Sequence, residues 1–150
     1  MSRIHLSLRL RGKLPPLDYI TQILGSAPTD SLRCGDIIGK RRVQSIDVWI
    51  LDLAEFDTFD TDDYIANQIV QACTTLKQVA PALATLDRTN CKAELYISNI
   101  QEEDQGGFSL PKELLAVAAD GKLSLEFSIL VMLDDYEEPE KAAILTEQNQ

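Results

Sequence analysis

The sequence predicts a two-layer α+β domain in a ferredoxin-like arrangement, in which helices cover one face of a mixed or antiparallel sheet. Three observations lead to this prediction. Polar and apolar residues alternate in several segments, as in strands with one buried face. Segments with apolar residues at helical spacing separate those strands. The resulting order, βαβ–α–βαβ, forms a structural pseudo-repeat of two outer units around one long helix.

The first unit begins with a strand and a short helix. Residues 3–11 alternate apolar with polar side chains, and Gly12 ends the strand. Pro15-Pro16 opens the helix, because proline suits the first turn, where a missing N–H costs little. Gly25 is the predicted C-terminal cap, since glycine readily adopts the left-handed conformation that ends many helices. The apolar side of this helix should pack against the sheet.

A loop and a second strand complete the first unit. Residues 26–43 show no period and contain prolines, glycines and basic residues, which indicates an ordered loop with a short strand at 36–38. Residues 45–53 are rich in β-branched and aromatic side chains, which favour strands. This second strand carries the single tryptophan of the chain, Trp49.

The central helix is the longest predicted element. Asp60 or Thr61 is expected to cap it, and acidic residues in its first turn interact favourably with the helix dipole. Apolar side chains recur at helical spacing up to about Ala80, and Pro81 is expected to kink or end the helix. These apolar residues are Ile65, Ile69, Cys73, Leu76 and Val79. The helix should be the main cover of the sheet.

The second outer unit repeats the strand–helix–strand plan. Residues 92–100 form a strand, and Ser109 and Pro111 then suit the start of a helix that Gly121 ends. Residues 122–133 form the last strand, and its alternating apolar side chains are expected to point inward. These side chains are Leu123, Leu125, Phe127, Ile129 and Val131.

The two units together form a single domain over residues 1–133, a size that can bury a core. Residues 134–150 are acidic and polar, and we expect a mobile tail. No apolar run approaches the roughly 18 residues of a membrane span, and the N-terminus lacks the continuous apolar segment of a signal peptide. We therefore expect a cytoplasmic protein without membrane contact.

Charge is unevenly distributed along the chain. The net charge is −10, but residues 1–50 contain eight lysines and arginines against four acids, whereas residues 51–150 contain six against twenty. An acidic protein repels nucleic acid as a whole, so binding to DNA or RNA is not expected. The acidic half suits a cationic partner, since opposite charges accelerate association.

The chain offers little material for catalysis or metal binding. Its three cysteines, Cys34, Cys73 and Cys91, are far apart and show no metal-binding spacing, and His5 is the only histidine. Cys34 lies beside Arg33, as reactive thiols often lie beside cations, but no general base is predicted next to it. We expect no metal, no cofactor and no enzymatic activity.

The densest unusual segment is the loop at residues 25–42, where glycines accompany arginines and lysines. Glycine lets a backbone approach a ligand, and arginine binds carboxylate or phosphate with forked geometry. The alternative is a turn-rich connection with solvated charges and a tryptophan packed in the core. On the functional interpretation, the candidate binding residues are Thr29, Arg33, Asp36, Lys40, Arg41, Arg42 and Trp49.

Several short motifs resemble a known family. They are Leu24-Gly25, Pro28-Thr29, Gly35-Asp36, the strand residue Trp49 and a helix that opens with Ser-Leu-Pro-Lys-Glu-Leu-Leu from Ser109. Over about residues 3–132 the chain is similar to a bacterial family of small soluble proteins known only as a domain of unknown function. The resemblance implies this fold and no particular activity.

The sequence therefore favours a non-catalytic binding or interaction module with its site at loop 25–42 and Trp49. Its ligand would be a protein partner or a small anion, and the module would be a monomer or homodimer. A second hypothesis is an immunity-type protein that neutralises a basic toxin through the acidic half. An enzyme that uses Cys34 or an acidic pair is the third.

Overall fold

The computed structural model describes residues 2–40 and 42–132. Its elements are β1 (Ser2–Gly12), α1 (Leu17–Leu24), β2 (Asp30–Leu32), β3 (Ile37–Ile38), β4 (Arg42–Val43), β5 (Asp47–Asp57), α2 (Asp62–Thr85), β6 (Cys91–Gln101), α3 (Lys112–Asp120) and β7 (Ser124–Val131). The predicted α+β class is confirmed. None of these helices is both long and apolar enough to cross a membrane.

Five strands form one mixed sheet in the order β2-β5-β1-β6-β7, while β3 and β4 pair in a separate small hairpin. Strands β5 and β6 flank β1, and both run antiparallel to it. Strand β7 instead runs parallel to β6. The two outer units of the predicted repeat therefore differ, because β1 and β5 are antiparallel neighbours and β6 and β7 are parallel ones.

The register gives the sheet two distinct ends. Strand β1 runs from Ser2 to Gly12, and Gly12 lies opposite both Asp47 of β5 and Cys91 of β6. We call this side of the molecule the Gly12 end. The other side, where Ser2 lies opposite Gln101, is the Ser2 end.

The core lies between one face of the sheet and the helices. Strand β1 buries every second side chain completely, at Ile4, Leu6, Leu8 and Leu10, as its alternation predicts. Helix α2 contacts α1, α3 and β5, which places the three helices on that same face. Its buried residues are Ala72, Cys73, Leu76, Val79, Ala80 and Leu83. The opposite face of the sheet carries polar side chains, and we call it the open face.

Helix α2 begins as predicted and ends later than predicted. The Thr61 hydroxyl accepts a hydrogen bond from the Tyr64 N–H at 3.2 Å, so Thr61 is the N-cap. Of the two effects expected of Pro81, a kink or an end, the end is wrong, because α2 continues past Ala80 to Thr85. Proline removes one helical hydrogen bond. Burial of Leu83 in the following turn offsets that loss.

Helix α3 is confirmed, but its predicted cap is not. The helix begins after Pro111, and no side chain caps its N-terminus, so Ser109 does not have the predicted role. Phe108 and Leu110 pack against the core instead, which holds this segment outside the helix. Gly121 ends the helix as predicted, although its φ of −79° is not left-handed. For α1, Gly25 is the expected left-handed cap.

The segment at residues 26–43 contains more structure than predicted. The short strand near 36–38 is present as β3, but the segment also contains β4 and β2. Strand β2 pairs with β5 at the edge of the main sheet. With only three residues, beginning at Asp30, it gives almost no periodic signal.

The last strand corrects a prediction about burial. Leu125, Phe127, Ile129 and Val131 were expected to point inward, yet they are between 40% and 62% exposed. Only Leu123, which precedes β7, packs partly against the core. Alternation identifies a strand but does not show whether another layer covers it. The predicted tail, residues 134–150, lies outside the described residues.

Gly12 is needed where the chain leaves β1. Its φ is +119°, and a Cβ at this position would lie 2.7 Å from the Asn90 carbonyl oxygen. We expect Gly12→Ala to lower the free energy of unfolding by about 2 kcal/mol, because both the backbone conformation and the close approach oppose a side chain. Urea unfolding measures this change. Gly107→Ala is the control, since nothing lies within 4 Å of its added Cβ. Equal losses in both variants would contradict the steric explanation.

Candidate binding groove

Asp47 anchors the basic loop to the sheet. The carboxylate of this buried residue accepts hydrogen bonds from the backbone N–H groups of Cys34, at 2.8 Å, and Leu14, at 3.0 Å. The Arg33 Nε lies 3.6 Å from the same carboxylate. Burial raises the pKa of Asp47, but these two hydrogen bonds and the Arg33 charge outweigh it, so the pKa lies below its ordinary value. The ionised Asp47 carboxylate therefore holds the loop against the start of β5.

The Gly35-Asp36 motif shapes the turn that follows. The Asp36 carboxylate accepts a hydrogen bond from the Arg33 N–H at 2.7 Å, and the Gly35 N–H donates to the Gln44 carbonyl at 2.9 Å. Gly35 has a φ of +96°, which favours glycine. Asp36 thus holds the loop in shape, because its carboxylate caps the loop's own backbone.

Two cavities at the Gly12 end share part of their lining, and we treat them together as one groove. The larger, of about 580 Å³, lies between the loop and the end of β1, and the smaller, of about 370 Å³, lies beside the start of β6. They share Gly12, Ile46 and Asn90. Basic side chains line this groove, which we call the basic groove: Arg11, Lys13, Arg33, Arg88 and Lys92.

Three of the five cations already have partners inside the protein. Arg11 Nε donates to Glu94 at 2.8 Å. Arg33 Nη1 donates to the Pro15 carbonyl at 3.2 Å. Arg88 donates to backbone carbonyls at the ends of α2 and α3.

The other two cations of the basic groove are lysines, and they lack such partners among the described residues. Lys13 and Lys92 form no ion pair with any carboxylate in the described part of the chain. Lys13 follows Gly12 directly, and Lys92 lies opposite Arg11 in the neighbouring strand. Arg33 has a side chain about half exposed, so it also reaches the solvent of the groove. Lys13 and Lys92 are therefore available to an added anion, and the exposed part of Arg33, although it contacts Pro15 and Asp47, lies beside them.

The predicted site residues do not form one cluster. Of the seven, Arg33 lines the basic groove, and Asp36 shapes the loop next to it. Lys40 and Arg42 are exposed in and beside the β3–β4 hairpin. Arg41 lies outside the described residues. Thr29, just before β2, and Trp49, in β5, lie elsewhere.

Trp49 belongs to the core rather than to the surface. It is fully buried, and its Nε1–H donates to the Thr21 hydroxyl of α1 at 3.3 Å. The register explains this placement, because Trp49 lies opposite Leu10, a core residue of β1. The alternative of a tryptophan packed in the core is the one the structure supports.

Thr29 lies near a second, separate cavity on the open face. Its hydroxyl accepts a hydrogen bond from the Asp52 N–H at 2.9 Å. The cavity, of about 450 Å³, is also lined by His5, Arg9 and Tyr96. His5 Nε2 lies 3.2 Å from Asp52 Oδ1, in a pair that is about two-fifths exposed. The polar groups of this cavity thus already interact with one another.

A buried carboxylate also lies on the open face. Glu94 accepts hydrogen bonds from Arg9 Nη2 at 2.8 Å and from Arg11 Nε at 2.8 Å. The Arg9 guanidinium lies over the Tyr96 ring, 4.0 Å from its centre. These contacts fix the position of Arg11, and with it one wall of the basic groove.

The cysteines show no catalytic arrangement. Cys34 is exposed, and its sulfur donates a weak hydrogen bond to the Ser45 carbonyl at 3.4 Å. Burial raises the pKa of the Cys73 and Cys91 thiols, which disfavours thiolate formation. No group of three metal-binding side chains comes together in the described residues.

Charge is separated between the two ends of the sheet. The Gly12 end holds the basic groove, and two of its acids, Asp36 and Asp47, cap loop backbone. The Ser2 end is acidic, because β5 and β6 finish there and α2 begins there. Its acids are Glu55, Asp57, Asp60, Asp62, Asp63, Glu102, Glu103 and Asp104. Acids at the start of α2 and cations near its end also suit the helix dipole.

A family model described as "Domain of unknown function (DUF4279)" matches residues 2–132. The chain belongs to this family. The match spans every described element, from β1 to β7, and confirms the resemblance to a domain of unknown function. No curated protein and no solved structure matches this DUF4279 chain.

Sequence reasoning missed most of the basic groove. Lys13 is far along the chain from Asn90 and Lys92, and it lies near them only because β1 and β6 are neighbours. One signal was present in the sequence: Lys13 lies just after the predicted strand 3–11, and Lys92 is the first residue of the predicted strand 92–100. Which strands are neighbours is a long-range property that local patterns do not encode.

Proposed function

We propose that this DUF4279 protein is a non-catalytic binding module that holds an anionic group in the basic groove. The observation that carries the proposal is the convergence of Lys13, Lys92 and Arg33 around Gly12 and Asn90. Two of these cations lack an ion-pair partner in the described part of the chain, and unpaired cations in a concave site attract a carboxylate or phosphate.

The shape of the groove supports a small ligand. Each of its two cavities has a volume of a few hundred Å³, in the range of small-molecule sites. Arg33 offers a fork for two oxygens, while each lysine offers a point charge. Asp47 partly neutralises Arg33, so the lysines should contribute most of the attraction for an anion.

The test is thermal unfolding with added inorganic phosphate or citrate, at ionic strength matched by sodium chloride. A ligand at 100 times its Kd stabilises the folded state by about 2.7 kcal/mol, so saturable stabilisation is expected. The double variant Lys13→Ala/Lys92→Ala should lose that stabilisation. Lys112→Ala, which removes a lysine at the other end of α3, is the matched control and should keep it. Equal stabilisation of all three proteins would be a general salt effect and would contradict the proposal.

A second candidate is the immunity-type function, and one observation favours it. At the acidic Ser2 end, Phe59 is 75% exposed and Tyr64 is 46% exposed. They line a cavity with Glu55, Asp57 and Asp60. Exposed aromatic residues among acids are suited to a cationic protein partner, since aromatic anchors supply much of the binding energy at interfaces.

Co-expression tests this second candidate. A toxin encoded beside the gene of this protein should inhibit a host cell, and the native protein should restore growth. The variant Phe59→Ala/Asp60→Asn should restore growth less well, whereas Lys13→Ala/Lys92→Ala should restore it fully. Neighbouring products that inhibit no host would contradict the immunity function. An enzyme that uses Cys34 or an acidic pair is the weakest proposal, because among the described residues the Cys34 sulfur forms a hydrogen bond only with the Ser45 carbonyl.

We also propose that β1, α1, β2, β5, α2 and β6 form a ferredoxin-like unit to which α3 and β7 are added. In support, β5 and β6 flank β1 in antiparallel orientation, and β2 lies outside β5. The bacterial origin and the cytoplasmic location stay predictions from the sequence.

A further inference from the structure

We propose that β7 is a dimer interface, on which the β7 strand of a second copy of this chain pairs in antiparallel orientation around a two-fold axis at Ser128. This surface is separate from the basic groove, so the inference does not depend on the proposed ligand. It follows from the exposure of β7, its sequence symmetry and the charges at its two ends.

The outer edge of β7 has no partner strand in the described part of the chain. Leu125, Phe127, Ile129 and Val131 share the helix-side face with Leu95 and Ile97 of β6, but they are 40–62% exposed. On the open face, Leu130 is 52% exposed. A free edge with exposed apolar side chains is a template for another strand.

The other edge of the sheet shows how an unused edge is protected. Strand β2 has only three residues and begins with Asp30. Strand β7 has eight residues, contains no proline, lysine or arginine, and carries a single charge at Glu126. Natural proteins shorten, charge or interrupt edges that must stay free. Of these forms of protection, β7 therefore has only the single charge of Glu126.

The apolar pattern on the helix-side face of β7 is symmetric about Ser128. With the axis at this residue, Phe127 of each copy lies opposite Ile129 of the other, and Leu125 lies opposite Val131. The apolar face therefore continues across the interface without interruption. Glu126 lies opposite Leu130, which keeps the two glutamates four residues, or about 13 Å, apart. An axis at Phe127 would bring them to about 7 Å, and an axis at Glu126 would place them face to face.

The charges of the two ends complement each other in this arrangement. Antiparallel pairing of the two β7 strands brings the Ser2 end of one copy beside the Gly12 end of the other. Lys122, just before β7, then lies on the same side as the acidic loop at Glu102–Asp104 of the second copy. The net charge of −10 opposes association in general, and this pairing of opposite ends reduces that opposition.

Single-cysteine cross-linking tests both the dimer and its register, in a full-length Cys34→Ser background. Directly opposite residues in an antiparallel pair have Cα atoms about 4.5–5.5 Å apart, within the range of a disulfide. Ser128→Cys should therefore cross-link under mild oxidation. Glu126→Cys alone and Leu130→Cys alone should not, but an equimolar mixture of the two should. Self-cross-linking of Glu126→Cys or Leu130→Cys would overturn the Ser128 axis.

Sedimentation equilibrium tests the interface without cross-linking. The native chain should be a reversible dimer, and Phe127→Lys should raise the dimer Kd by on the order of 30-fold, because it places a charge against Ile129 of the second copy. Ile37→Lys is the matched control, since Ile37 is an exposed apolar residue of β3, and it should leave the Kd unchanged. A native chain that is monomeric at all concentrations would overturn the proposal. That is the result expected if residues 133–150 of the same chain, rather than a second copy, covered β7.

Discussion

Replacing Glu94 by glutamine is expected to lower the free energy of unfolding by about 3 kcal/mol, because it leaves two guanidinium groups without their counter-ion. The Glu94 side chain is only 2% exposed. Glutamine has nearly the same shape, so the loss reports the charge and its hydrogen bonds rather than a cavity. The Arg9 and Arg11 side chains are 23% and 33% exposed, and access to water keeps the loss below that of a fully buried pair.

The pH dependence of this effect has a definite sign. Burial raises the pKa of Glu94, but the hydrogen bonds and charges of Arg9 and Arg11 lower it more, so the folded pKa lies below the ordinary value of 4.5. A carboxylate with a depressed folded pKa contributes stability above its unfolded pKa, and this contribution is lost as the pH falls through the folded pKa. The difference between native protein and Glu94→Gln should therefore be constant near neutral pH and shrink below about pH 4.5.

Urea unfolding at several pH values measures both effects, and Glu55→Gln is the matched control. Glu55 lies 3.6 Å from Arg3, in a pair that is more than half exposed. Exposed pairs contribute little, so this variant should change the free energy by no more than about 0.5 kcal/mol. If Glu94→Gln lowered the free energy of unfolding no more than Glu55→Gln, the arginines would be solvated well enough without Glu94. The conclusion that Glu94 fixes the position of Arg11 would then be wrong.

Glu94 also shows what local patterns cannot predict. In the sequence it is an ordinary polar residue on the outward side of a predicted strand. It is buried because β6 lies beside β1, which places Arg9 opposite Glu94 and Arg11 two residues further along. The alternation of β1 and β6 was enough to predict each strand. The ion pair depends on the order and register of strands that are about 85 residues apart.

Trp49 and β7 show two further limits of the sequence. A tryptophan next to a basic loop fits either a ligand site or a core, and only the pairing of Trp49 with Leu10 decides for the core. The apolar alternation of β7 correctly predicts a strand, but the layer that should cover its apolar face is not specified locally. Predictions of elements therefore succeeded where one segment contains the whole signal. The burial of β7 was mispredicted and the basic groove was missed because both depend on segments that are distant in the chain.

Arg88 is a second residue whose contacts depend on distant segments of the chain, and its replacement is also expected to lower the free energy of unfolding strongly. Its guanidinium donates to the carbonyls of Leu83 at 2.7 Å, Gly121 at 2.6 Å and Lys122. These carbonyls belong to the last turn of α2 and to the turn after α3, where helices leave acceptors without partners. One side chain thus joins the ends of two helices that pack against each other.

Arg88→Met is expected to lower the free energy of unfolding by about 3–4 kcal/mol, because it removes charged donors from three carbonyls at the helix ends. Of these carbonyls, that of Leu83 keeps one hydrogen bond, from the Leu86 N–H at 3.2 Å. Methionine keeps much of the apolar stem, so lost packing contributes little. Arg88→Lys should lose less, since an ammonium group can still donate to some of these carbonyls but cannot span both helix ends as a planar fork does. Arg3→Met, which removes a mostly exposed arginine, is the control and should change stability by under about 1 kcal/mol.

Hydrogen exchange distinguishes a joint between helices from general destabilisation. If Arg88 holds the two helix ends together, amides in the last turns of α2 and α3 should exchange faster in Arg88→Met than the change in global stability requires. Amides of β1, at the centre of the sheet, should follow the global change alone. Uniform acceleration across the chain, or a loss below 1 kcal/mol by urea unfolding, would mean that α2 and α3 are held by their apolar contacts and that these three hydrogen bonds add little.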